Sequence, residues 1–90
     1  MSADAQLRKA RKFYAVMEGG KIVYWETSKL RAIARARTES AKKRDFPAVV
    51  RVVLRKFRCN LNTETFCLIY NDELDPVEEV PVWSNLKEKA

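Results

Sequence analysis

The stretch Lys12-Phe13-Tyr14-Ala15-Val16-Met17-Glu18-Gly19-Gly20-Lys21-Ile22-Val23-Tyr24-Trp25-Glu26 decides how this chain folds. Two runs rich in aromatic and β-branched residues flank a Gly-Gly pair, the pattern of a β-hairpin. Gly-Gly at the centre suits a two-residue primed turn, which needs positive φ. That turn pairs Met17 with Ile22, Val16 with Val23, Ala15 with Tyr24 and Tyr14 with Trp25. One face then shows Tyr14, Val16, Val23 and Trp25; the other shows Phe13, Ala15, Met17, Ile22 and Tyr24. Both faces are apolar, whereas an antiparallel hairpin with one side in water alternates apolar and polar residues. The sheet is therefore expected to be covered on both sides, for example by a helix and by the C-terminal tail. The alternative is that one face docks a partner, a second copy of the chain, or unstacked bases.

Working outward, residues 28–44 read as a helix. Thr27 or Ser28 can cap it, and the interior is rich in Ala and free of Gly and Pro. Leu30, Ile33, Ala34 and Ala41 fall on one face, with Arg37 inside that stripe; Arg31, Arg35, Thr38 and Lys42 fall on another. Asp45-Phe46-Pro47 stops the helix. Residues 48–59 read as a long strand in which Val50, Val52 and Leu54 alternate with Arg51, Val53 and Arg55. After turn chemistry at Asn60-Leu61-Asn62, residues 63–70 read as a partner strand, with Phe66, Leu68 and Tyr70 on one face. A helix capped by Asn62 is the alternative. Beyond it, Pro76 and Pro81 interrupt Val77, Val80, Val82 and Trp83, which suggests an extended segment lying on the body.

The expected architecture is a small single α+β domain with ββαββ order: an antiparallel sheet, one basic helix packed on it, and an extended acidic C-terminal tail. Residues 1–11 form a basic N-terminal arm, 12–71 the α+β domain, and 72–90 an acidic and apolar tail packing on that body. A chain of 90 residues makes one domain, and 47% hydrophobic residues with two Gly and three Pro support a real core.

Charge is split along the chain. Residues 1–58 carry 16 Lys/Arg against 5 Asp/Glu, and residues 59–90 carry 2 Lys against 7 Asp/Glu. The first part is +11 and the second −5, which together give the net +6. Such a split points to a basic surface for a polyanion, to an internal basic-to-acidic clasp, or to both. The candidate nucleic-acid contacts are Lys29, Arg31, Arg35, Lys42 and Lys43 on the helix and Arg51 and Arg55 on the strand, where forked guanidinium donors suit phosphate. The bland counterpart is a solvated cationic face. The candidate protein-interaction residues are Tyr24, Trp25, Asp72, Glu73 and Asp75. The acidic set reads as a solvated tail, a clasp on the basic half, or a nucleic-acid mimic aimed at another protein. Trp25 and Trp83 read as packing anchors, or as interface hot spots.

The chain has no His, which removes His-based nucleophile activation, proton transfer and metal ligation. Two Cys cannot close a four-thiolate zinc site, and the two adjacent glycines make no phosphate-binding loop. We therefore expect no enzyme activity and no cofactor. Cys59 and Cys67 flank the last predicted loop, so a disulfide is geometrically conceivable. With a polar start and no secretory signal, reduced buried thiols and a cytoplasmic location are the expectation. No apolar run is long enough to span a membrane.

Lys12-Phe13-Tyr14-Ala15-Val16, Gly20 and Tyr24-Trp25 resemble the start of the small hybrid-binding domain that precedes ribonuclease H catalytic domains. The resemblance spans residues 12–25 and implies Tyr14 and Trp25 as contacts to nucleic acid. The longer Gly-containing turn and the second half of that family's pattern are absent here. The functional expectation is a non-enzymatic module that binds RNA or single-stranded DNA through phosphate contacts. The alternative is a protein-binding inhibitor or adaptor, such as a small phage-encoded protein that blocks a host enzyme or defence complex. A homodimer joined through the hairpin is a third arrangement.

Overall fold

The computed structural model describes residues 10–42, 48–58 and 62–88. The chain forms β1 (Ala10–Glu18), β2 (Lys21–Glu26), α1 (Lys29–Ala41), β3 (Val50–Arg58), α2 (Thr63–Tyr70), β4 (Glu78–Ser84) and a final turn, α3 (Asn85–Glu88). The four strands make one antiparallel sheet in the spatial order β2-β1-β3-β4. The fold is α+β, and its strands and main helix follow the order ββαββ, with α2 inserted before the last strand.

The β1–β2 hairpin forms around Gly19-Gly20, but only Gly19 takes positive φ, at 63°. Its N–H donates to the Val49 carbonyl at 2.9 Å, tying the turn to the start of β3. The pairing of Met17 with Ile22 is as expected; a bulge between Val16 and Met17 then shifts the register. Tyr24 faces Val16, Trp25 faces Ala15, and Glu26 faces Tyr14. Because side chains alternate with period two, this single extra residue moves Tyr24 and Trp25 to the faces opposite those expected.

The β1–β3 pairing is unbroken from Ala10↔Arg58 to Glu18↔Val50. Even-numbered residues of both strands therefore share one face and odd-numbered residues the other. On the first face Val16, Val50 and Val52 are fully buried with Ala32 and Ala36 of α1. On the second, Phe13 and Phe57 are buried with Ile69 of α2, and Trp25, Phe66 and Leu74 pack around them. The apolar character of both hairpin faces is thus explained by two helical covers. The second cover is α2, with Leu74 at the start of the tail adding to it.

Ser28 caps α1, its side chain accepting from the Arg31 N–H. The buried positions are Ala32, Ala36 and Glu39, not the expected stripe; Leu30 is 80% exposed, Ala34 and Ala41 are also exposed, and only Ile33 packs on the core. Arg37 is exposed as well. Two alanines one turn apart let the helix backbone approach the valine-lined sheet closely, and that geometry outweighs the size of Leu30. The helix ends at Ala41 with Lys42 as its C-cap, short of the expected residue 44.

Residues 63–70 are a helix, which overturns the strand expectation. The Asn62 side chain accepts from the Thr65 N–H at 2.8 Å, and Glu64 sits in the positively polarised first turn. The edge of β3 is instead taken by β4, drawn from the tail. β4 carries Pro81, which an edge strand accommodates. Asn85 is buried and fastens this end. Its Oδ1 accepts from the Val50 N–H at 3.1 Å and its Nδ2 donates to the Ala48 carbonyl at 2.9 Å. Cys67 is a free, exposed thiol on α2 and not a buried one. Cys59, and with it the disulfide alternative, lies outside the described residues.

Candidate nucleic-acid interface

Helix α1 lies over the half of its sheet face that carries Val16, Val50 and Val52. Beyond it the even-numbered row continues with Tyr14 opposite Leu54, Lys12 opposite Lys56, and Arg58 at the strand end. Lys12 and Arg58 are exposed; Tyr14, Leu54 and Lys56 are partly buried. Val80 of β4 faces Leu54 and extends this surface toward the β4 edge. Two lysines directly opposite each other repel, so this register is kept against an electrostatic cost. Lys56 has a partial remedy in Glu78, whose carboxylate lies 3.0 Å from its Nζ. Among the described residues Lys12, Arg58, Lys29 and Arg31 form no ion pair.

The basic residues singled out from sequence do not form one face. Lys29 and Arg31 are exposed at the start of α1. Arg35 pairs with Glu26 and places its guanidinium 4.6 Å from the centre of the Tyr24 ring. Because Glu26 stands opposite Tyr14, Arg35 borders the open row. Lys42 is bonded to the buried Glu39 at 2.7 Å. Lys43 lies outside the described residues. Arg51 and Arg55 point to the other face of the sheet, opposite Met17 and Phe13. Arg51 is exposed, while Arg55 is held by Asp72 at 2.5 Å and has its Nε 2.6 Å from a Glu79 carboxylate oxygen.

The residues singled out for protein contact are also dispersed. Trp25 belongs to an aromatic cluster: it meets Phe13 edge-on at 6.5 Å and lies 6.4 Å from both Phe57 and Tyr70. Arg55 stands 5.9 Å from its ring centre. Tyr24 sits on the α1 side in a shallow pocket with Ala34, Arg35, Thr38 and Glu39. Asp72 and Asp75 line a concave surface around Arg55 together with Pro76, Val77, Glu78 and Glu79. Glu73 is exposed. Two acidic residues of β4 and one before it therefore hold two cations of β3, the clasp form of the charge split.

Lys12, Lys56 and Arg58 were not among the residues chosen from sequence. Their signal was present as alternation: Lys12, Tyr14 and Val16 step by two, as do Val52, Leu54, Lys56 and Arg58. Among the described residues no cluster of three or more His, Cys, Asp or Glu is placed to hold a metal ion, and no helix is long and apolar enough to cross a membrane. The chain matches no known protein family, no curated protein and no solved structure.

Proposed function

We propose that this protein binds single-stranded nucleic acid along the open row of its sheet, with Lys12, Lys56 and Arg58 at phosphates and Tyr14 available to stack on a base. The observation that carries this reading is the cationic strip beside a partly exposed aromatic on the part of the strand surface beyond α1. Sheet surfaces suit single strands because bases stack on aromatic side chains while cations track the backbone. Lys29 and Arg31 on α1, with Arg35 at the border, supply further positive charge. The opposed Lys12 and Lys56 gain a reason to exist once a phosphate lies between them. The proposed role is binding, carried by charge and stacking.

The test is fluorescence anisotropy with labelled RNA and DNA single strands of about 12 nucleotides. Three phosphate contacts on a single strand give a log–log salt slope of roughly −2, or about a sixteenfold loss of affinity between about 50 and 200 mM salt. Absence of binding at the lowest salt overturns the proposal.

A second reading rests on a different observation. Helix α2 exposes Leu68 and Tyr70, the latter at 59%, and is followed in the chain by the exposed acidic residues Glu73 and Asp75. Such a surface suits an adaptor or inhibitor that docks on a protein. A stoichiometric complex that survives nuclease treatment and is lost in Tyr70→Ala supports it.

A further inference from the structure

We propose that Glu78 is an internal competitor for phosphate, occupying Lys56 until nucleic acid displaces it. This rests on the nucleic-acid reading of the strip and adds its regulation. Glu78 and Lys56 are cross-strand partners on β4 and β3, so the carboxylate approaches from the edge of the sheet surface that would receive the strand. Its side chain is 50% exposed while that of Lys56 is 26% exposed. A carboxylate in that position presents two acceptor oxygens to the ammonium, as a phosphate would. The Val77 N–H donates to the Lys56 carbonyl at 2.8 Å, which fixes the backbone at the pair and leaves only the side chain to move. An exposed ion pair of this kind is weak enough to exchange for a phosphate without opening the sheet.

The neighbouring residue supplies the control. Glu79 carries the same charge one position along but turns to the opposite face, where it meets Arg55. Glu78→Gln and Glu79→Gln change the net charge equally, so any difference between them reports position and not bulk charge. Binding of a labelled single-stranded oligonucleotide is measured for both variants and the wild type at one low salt concentration. The expected result is about a threefold gain in affinity for Glu78→Gln, the range of a surface ion pair, with a smaller gain for Glu79→Gln. Equal gains, or no gain for Glu78→Gln, overturn the competitor role while leaving the nucleic-acid reading standing. Failure of the wild type and both variants to bind overturns the nucleic-acid reading and this proposal together.

Discussion

At the residue scale, Asn85 does the most with a single side chain. It satisfies the Val50 N–H and the Ala48 carbonyl from the far end of the chain, and so joins the start of β3 to the segment after β4. Its removal leaves a buried backbone donor without a partner. Asn85→Ala is therefore expected to cost about 2–3 kcal/mol in urea unfolding. Asp72 is a second case: it is a non-glycine residue at φ 57°, a conformation Asn shares and most residues avoid. It also bonds Arg55. Such pairings are not visible in sequence, because charge composition does not tell which carboxylate reaches which cation. The split of charge was legible; the assignment of Glu78 to Lys56 and Glu79 to Arg55 required the register of β3 against β4.

At the scale of elements, the hairpin was legible because Gly-Gly between two apolar runs leaves few other readings. Its far end was not. The bulge beside Val16 carries no glycine or other mark, and it alone decides that Trp25 faces α2 and Tyr24 faces α1. The helical state of residues 63–70 was signalled by Asn62, but the β-branched and aromatic content of Thr63–Tyr70 reads equally as a strand. The competition was settled by a tertiary fact, the claim of β4 on the open edge of β3. Within α1, side-chain size misleads and closeness decides. Ala36→Leu is expected to destabilise the fold by about 1–3 kcal/mol through overpacking against Val16 and Val52. Leu30→Ala should change stability by less than about 0.5 kcal/mol. Denaturant unfolding of the two variants checks the assignment of the buried face, and the reverse order would refute it.

At the scale of the whole molecule, two helical covers of unequal reach explain where function can lie. Helix α2 and the aromatic residues close one face of the sheet around Phe13 and Phe57. Helix α1 covers the other face over the valines, and the remainder of that face carries the cations. The single basic face expected from sequence is not formed, and the proposed strip uses other residues. That strip runs along the strands through Lys12, Lys56 and Arg58, while Arg35, Lys42 and Arg55 are held in ion pairs within the fold. No family model supports the resemblance to a hybrid-binding domain; of its two implied contacts, Tyr14 lies in the open row and Trp25 is packed among aromatics.

The most direct measurement pairs binding with stability in one substitution, Lys12→Glu. The new carboxylate would face Lys56 and remove the repulsion between the two lysines. The expected result is a melting temperature equal to or above that of the wild type, together with at least about a tenfold loss of affinity for a single-stranded oligonucleotide. Unchanged affinity in a folded variant would contradict it.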